Sequence, residues 1–181
     1  MRAVFLDRDG VINRNRPDYV RGWADVEFIP GVLDALRRLA SSQYLVIVIS
    51  NQSAINRGLV TAETVDDIHR RMRQVVEHHG GRLDAFFYCP HRPDEGCSCR
   101  KPQPGMLLRA ARQFSLDLGQ CYLVGDATGD MLAARAVGSH PIMVLTGRGK
   151  ESLNSMQELP NNQITVVSDL SAAVDWILSR D

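Results

Sequence analysis

The chain has 181 residues, of which 44% are apolar and 23% charged, and its formal net charge is zero. These are ordinary figures for a globular protein with a full core, and neutrality removes the electrostatic reason to expect a nucleic-acid partner. The longest apolar run, Tyr44 to Ile49, is far too short to span a bilayer, so no membrane partner is expected.

Met1 leads almost directly into the first strand candidate, Ala3 to Leu6, with no signal peptide ahead of it, and a cytoplasmic protein is expected. Pro30 suits the first turn of a helix whose Val32, Leu33, Leu36 and Leu39 share one face. A second strand, Tyr44 to Ile49, follows. Thr61 to His79 reads as a helix presenting Val65, Ile68, Met72, Val75 and Val76. Ala85 to Tyr88 is a third strand. Met106, Leu107, Ala110 and Phe114 mark a helix beginning near Pro104. After a strand at Tyr122 to Val124, Thr128 is placed to cap a helix that Gly138 would end. Strands at Ile142 to Leu145 and Ile164 to Val167 come next. A last helix starts at Ser168 or Asp169 and carries Leu170, Val174 and Ile177.

Strands alternating with helices predict an α/β fold, a Rossmann-like parallel sheet with helices on both faces, spanning residues 1–181 as one domain. In such sheets ligands bind beyond the carboxyl ends of the strands. The residues found there carry chemistry. The first strand ends in Asp7-Arg8-Asp9, the second in Ser50-Asn51-Gln52. The third runs into a Cys/His cluster with Lys101 soon after, and the fourth ends in Gly125-Asp126 followed by Asp130.

In extended chain, residues i and i+2 project to the same side, so Asp7 and Asp9 can share a site. Unpaired, they would raise each other's pKa. A divalent cation relieves that repulsion, and Mg²⁺ favours one or two carboxylates, water and phosphate. Asp126 arrives from another strand to complete the protein's share. Aspartate can also attack phosphorus to form an aspartyl-phosphate. Lys101, the Ser50 hydroxyl and Mg²⁺ suit the offsetting of charge, and Asp9 suits proton transfer to the leaving alkoxide and from water. Each feature alone has an ordinary alternative: a solvated turn for Asp-x-Asp, a dipole-favoured helix acid for Asp130, a surface lysine for Lys101. An EF-hand loop is excluded, since counting from Asp7 its sixth position is Ile12 and its twelfth Asp18, where glycine and glutamate are required.

Cys89, His91, Cys97 and Cys99 supply three thiols and an imidazole, a tetrahedral structural zinc set with no open position for a catalytic water. A loop holding Pro90, Pro93 and Gly96 has little core, and metal can supply its folding energy. Cys121 stands apart at a strand start, as a buried core residue would.

The stretches DRDGVIN, SNQS, CRKPQPGM and VGDATGD, in this order, resemble the haloacid dehalogenase superfamily of phosphatases over nearly the whole chain. Within it the pattern is similar to the heptose bisphosphate phosphatases and to their relatives, the histidinol-phosphate phosphatases. The resemblance implies Asp7 as nucleophile, Asp9 as acid/base, and Ser50 and Lys101 as holders of the transferring phosphoryl group. It implies Mg²⁺ held by Asp7, the Asp9 backbone carbonyl and Asp126, with Asp130 supporting. It also implies a zinc knuckle inserted at 89–99 and no large cap domain.

Substrate contacts are expected from Asn15 and Tyr19, from Asn51, Gln52, Ser53 and Arg57, and from Arg100. Arg57 and Arg100 suit a second, non-reacting phosphate. Ser53, Asn56-Arg57-Gly58 and KPQPGM look more like the heptose members, so a small sugar bisphosphate is the expected partner. The pathway implied is nucleotide-activated heptose synthesis for lipopolysaccharide or another surface glycan. One departure stands against this: after Gly125-Asp126 the heptose members often have lysine, where Ala127 offers no charge. A catalytically inactive zinc-stabilised binding module would not need Asp7, Asp9, Ser50, Lys101 and Asp126 together. A nucleic-acid knuckle would want basic and aromatic surface, but Asp94 and Glu95 lie inside this one. A monomer is expected.

Overall fold

A computed structural model of the chain describes residues 1–156 and 164–180; residues 157–163 and 181 lie outside the described residues. Six strands form one sheet: β1 (Ala3–Leu6), β2 (Leu45–Asn51), β3 (Ala85–Cys89), β4 (Tyr122–Gly125), β5 (His140–Val144) and β6 (Thr165–Val167). Their order is β3-β2-β1-β4-β5-β6, and every neighbouring pair is parallel. The chain thus winds outward from β1 in one direction and from β4 in the other, and the crevice between those two strands is where a ligand belongs.

Helices cover both faces, as expected. On β1, Val4 and Leu6 point into a core closed by α1 (Val32–Ala40), α2 (Ala62–His78) and α6 (Leu170–Leu178), through Leu36, Leu39, Met72, Val174 and Ile177. Ala3 and Phe5 point the other way, against α3 (Gly105–Phe114) and α4 (Thr128–Ala136), through Met106, Leu107, Ala110 and Ala134. Period-two alternation with both faces buried is why these strands read as unbroken apolar runs. Cys121 is buried in the second core, where its sulfur accepts from the Ala3 N–H at 3.3 Å and its thiol donates to the Asp117 carbonyl at 3.1 Å.

Three local expectations are corrected. β5 begins at His140 rather than Ile142, because Pro141 is tolerated there: the His140 N–H bonds toward β4, and pairing with β6 starts only at Ile142, so the missing proline N–H falls outside that ladder. The cap of α4 is Ala127, not Thr128, and its N–H is taken by the Asp130 carboxylate at 3.1 Å. Helix α5 (Gly149–Ser155) was not expected, since seven residues led by glycine carry no apolar period. Gly149 is required: a Cβ there would lie 1.8 Å from the Val144 carbonyl oxygen.

Asp169 caps α6 by accepting from the Ala172 N–H at 2.9 Å. Asp169→Ala is expected to lower unfolding free energy by about 1 kcal/mol, and Leu36→Ala by about 2–5 kcal/mol, both read from urea denaturation.

Candidate active site

The carboxyl ends of β1, β2 and β4 open on a cavity of about 260 Å³. Asp7, Asp9, Ser50, Lys101, Asp126 and Asp130 line it. So do Asn15 and Tyr19, and on the other wall Asn51, Gln52, Ser53, Arg57 and Arg100. Every catalytic or substrate-contact residue expected from sequence therefore faces one space.

Asp7 leaves β1 with its N–H on the Val124 carbonyl of β4 (2.9 Å), and its carboxylate accepts from the Arg8 N–H at 2.8 Å. The Lys101 ammonium lies 2.9 Å from Asp7 Oδ1 and 2.6 Å from Asp130 Oδ1, and donates to the Ile49 carbonyl at 3.1 Å. Burial works against the lysine charge, but Asp130 and then Asp7 outweigh it and hold its pKa above the usual lysine range. Asp7, Asp126 and Asp130 place an oxygen each within 4.8 Å of one another, all three buried. Burial pushes Asp7 up to about 8, with Lys101 opposing and Asp130 and Asp126 adding to the rise. Burial likewise pushes Asp126 up to about 6, against the hydrogen bond from the Arg148 N–H at 2.8 Å.

Three clustered carboxylates facing one ammonium leave excess negative charge in a buried site. Hard oxygen donors with that deficit fit a divalent cation of the Mg²⁺ type. Two glycines make the close approach possible. A Cβ on Gly10 (φ +92°) would lie 2.0 Å from Asp126 Oδ2, and one on Gly147 (φ +54°) 2.1 Å from the same oxygen.

Asp9 is held differently. Its carboxylate accepts from Arg8 Nη2 (3.0 and 2.9 Å), Asn13 Nδ2 (2.9 Å) and Gln52 Nε2 (2.9 Å). Burial alone would raise its pKa, but Arg8, Asn13 and Gln52 together keep it below the usual carboxylate value. Its side chain therefore stands outside the three-carboxylate cluster, while remaining on the cavity wall.

The amides at the end of β2 act mainly as braces. Asn51 donates to the Lys101 carbonyl and accepts from its N–H, both at 3.1 Å. Gln52 donates to Ser50 Oγ at 2.6 Å. Tyr19 sits in the left-handed region at φ 66°, in the loop forming one cavity wall.

The four knuckle residues converge. Cys89 and Cys99 sulfurs are 3.2 Å apart, each is 3.6 Å from the Cys97 sulfur, and His91 Nδ1 is 3.4 and 3.3 Å from Cys89 and Cys99. Three Zn–S bonds of about 2.3 Å and one Zn–N bond of about 2.0 Å give tetrahedral edges of about 3.8 Å between sulfurs and about 3.5 Å from sulfur to nitrogen, so the set is close to zinc spacing and far from disulfide length. The knuckle is also tied to the site. Arg100 Nη1 donates to the His91 carbonyl (3.1 Å), Asn56 Nδ2 to Glu95 (2.8 Å), and the Gln52 N–H to the Cys89 carbonyl (2.7 Å).

Arg8 and Arg148 are among the cavity residues not singled out from sequence. Arg8 is only 1% exposed despite lying between two aspartates. Arg148 lines the cavity from the turn after β5. Extending the strand-end search to the fifth strand would have found Arg148; nothing in the sequence marks Arg8 as buried.

Comparison with known proteins agrees with this site. Residues 98–173 match a family model described as HAD-hydrolase-like. The D-glycero-beta-D-manno-heptose-1,7-bisphosphate 7-phosphatase of Pseudomonas putida is 43% identical over 84% of this chain and 87% of its own length. That of Bordetella bronchiseptica is 39% identical over 99% of each chain. The crystal structure of D,D-heptose 1,7-bisphosphate phosphatase from B. bronchiseptica, complexed with magnesium and phosphate, superposes with a TM-score of 0.94 at 38% identity, covering 100% of both chains. Relatives this similar along the whole length, with one fold, show that the chain belongs to the heptose 1,7-bisphosphate 7-phosphatase family of haloacid dehalogenase-type phosphoric monoester hydrolases.

Proposed function

We propose that this chain is a Mg²⁺-dependent phosphatase that removes the C7 phosphate of D-glycero-D-manno-heptose 1,7-bisphosphate through an aspartyl-phosphate on Asp7. The observation that carries the proposal is the buried Asp7–Lys101–Asp130 array beside Asp126, opening on a cavity whose lining includes Arg57, Arg100 and Arg148.

Asp7 attacks phosphorus in line, forming a new P–O bond as the bond to the C7 oxygen breaks. The Lys101 ammonium and the Ser50 hydroxyl hold the non-bridging oxygens of the phosphoryl group. Asp9, held below the usual carboxylate pKa in the free site, takes up a proton as the negative phosphate enters and gives it to the departing alkoxide, then takes one from the water that attacks the aspartyl-phosphate and regenerates Asp7. Asp7, the Asp9 carbonyl and Asp126 would hold Mg²⁺, with Asp130 in support, and the ion would supply neutralisation of the phosphoryl charge. Asn15, Tyr19 and Ser53 contact the sugar, and Asn51 and Gln52 serve it through the groups they brace. Arg57, Arg100 and Arg148 suit the second phosphate, Arg148 taking up the role that the uncharged Ala127 leaves open. The Cys89, His91, Cys97, Cys99 set would hold a structural Zn²⁺, which would fix Arg100 and Lys101. The same proposal places the enzyme in the cytoplasm, as a monomer, in nucleotide-activated heptose synthesis. Among the described residues, no helix is long and apolar enough to cross a membrane.

With Mg²⁺, kcat/KM for heptose 1,7-bisphosphate is expected to exceed that for histidinol phosphate. Asp7→Asn is expected to abolish phosphate release. Arg57→Ala or Arg100→Ala is expected to lower kcat/KM on the order of 10- to 100-fold, the worth of a charge-assisted hydrogen bond. Preference for histidinol phosphate would discard the substrate and keep the chemistry.

The raised carboxylates set the pH behaviour. Asp7 and Asp126 prefer the neutral form when folded, so Mg²⁺-free protein is expected to lose stability as pH rises from about 4 through 8. Cation binding needs the ionised forms, so Mg²⁺ affinity should rise across pH 6 to 8. Thermal melts of dialysed protein with and without Mg²⁺ read both; a melting temperature that climbs with pH in the absence of Mg²⁺ contradicts the assignment. Zinc removal, or Cys97→Ser, is expected to lower kcat/KM by freeing Arg100 and Lys101, with zinc content measured alongside. Full activity in zinc-free protein would rule out that coupling.

A further inference from the structure

Arg8 lies in the signature between the two aspartates, yet it is enclosed, and a residue far along the chain meets it. Its Nη1 is 3.4 Å from Nε2 of His69, on α2. His69 is itself 4% exposed, its ring stacked on Phe86 with centroids 4.5 Å apart and planes 16° off parallel, and tilted against Tyr88 at 5.6 Å. Packed on two aromatics, the imidazole has little freedom to turn.

An arginine is a donor at every nitrogen and does not give up its proton. The ring nitrogen facing it must therefore be the unprotonated one, which makes His69 a neutral imidazole accepting at Nε2, with its proton on Nδ1. Burial, and next the charge of Arg8, push the His69 pKa down to about 3.

The remaining Arg8 donors fix the site. Nη2 reaches both Asp9 oxygens at 3.0 and 2.9 Å and Gln52 Oε1 at 3.1 Å. Gln52 Nε2 then joins Asp9 Oδ2 to Ser50 Oγ, at 2.9 and 2.6 Å. A continuous chain of polar contacts thus runs from α2, through His69 and Arg8, to the acid/base carboxylate and the phosphoryl-holding hydroxyl.

We propose that His69 is a positioning residue for proton transfer: by accepting from Arg8 it holds the guanidinium fork on Asp9, and so fixes the carboxylate that serves the leaving oxygen. This rests on the reading of Asp9 as acid/base in the phosphatase proposed above. The bond that breaks runs from phosphorus to the sugar oxygen, and the proton that oxygen receives comes from Asp9. A sugar alkoxide needs that proton; 4-nitrophenolate leaves without it.

The test compares kcat/KM, which reports steps through loss of the leaving group, for heptose 1,7-bisphosphate and 4-nitrophenyl phosphate. His69→Phe keeps a flat ring against Phe86 and removes the acceptor. It is expected to lower kcat/KM for the sugar phosphate by about tenfold or more, a fraction of the roughly 10²–10⁴ that acid–base catalysis contributes, and that for the aryl phosphate much less. His69→Gln, which returns an acceptor oxygen, is expected to restore most of the loss. Arg8→Lys, which keeps the charge and loses the fork, is expected to reproduce the selective defect. Equal losses on both substrates in His69→Phe, or no loss on the sugar phosphate, would overturn the role of His69. Wild-type protein that releases phosphate from neither substrate would overturn the phosphatase reading, and this inference with it.

Discussion

The structure depends on a charge imbalance kept out of water. Lys101 sits between Asp7 and Asp130 at 2.9 and 2.6 Å, with Asp126 close by. Withdrawing ions from water is costly, and their attraction repays it only when the geometry is good and the remaining lone pairs are served. Here the lysine satisfies two carboxylates and leaves the cluster negative. The protein tolerates raised carboxylate pKa values in exchange for a site that a divalent cation and a phosphoryl group complete. Asp9 is the contrasting case, since Arg8 balances it within the protein.

Sheet order makes this arrangement possible. Asp7 and Asp126 follow adjacent parallel strands, β1 and β4, that start the two halves of the winding. Their carboxylates meet because the backbone can be brought in tightly. Gly10 and Gly147 each leave space that a methyl group would take from Asp126 Oδ2, and the Thr146 hydroxyl donates to the Gly10 carbonyl at 2.6 Å, joining the turn after β5 to the turn after β1. The same turn brings Arg148 to the cavity. Position in the fold, rather than proximity in sequence, unites these residues.

That distinction explains what could be read in advance. Parallel strands buried on both faces leave apolar runs, so all six strands were found to within about two residues at either end, β5 starting two residues early at a proline that its edge-side ladder accommodates. Strand ends then pointed to Asp7, Ser50 and Asp126, because topology alone brings them to one rim. Arg8 was illegible for the opposite reason. A charged residue between two aspartates looks solvated, and its burial depends on His69, 61 residues away on α2. Helix α5 has too few residues for periodicity to register, and Ala127 caps α4 only because Asp130 supplies the acceptor.

The knuckle shows how a loop without a core can still govern a rigid site. Between Cys89 and Cys99 the described chain buries little apolar surface beyond Cys89 itself, so hydrophobic burial cannot hold it. A metal on the four ligands would supply its order. Yet it carries three ties to the catalytic wall: the His91 carbonyl on Arg100, Glu95 on Asn56, and the Cys89 carbonyl on the Gln52 N–H. Gln52 touches Ser50 and Asp9, and Asn56 adjoins Arg57. Lys101 follows directly, clamped by Asn51 at both its N–H and its carbonyl. A metal held there, off the cavity, would thereby set where Lys101, Arg100 and Arg57 stand. The geometry of a thiolate-bound ion is far less deformable than that of a proline-rich loop, and that stiffness is what the site would take from it.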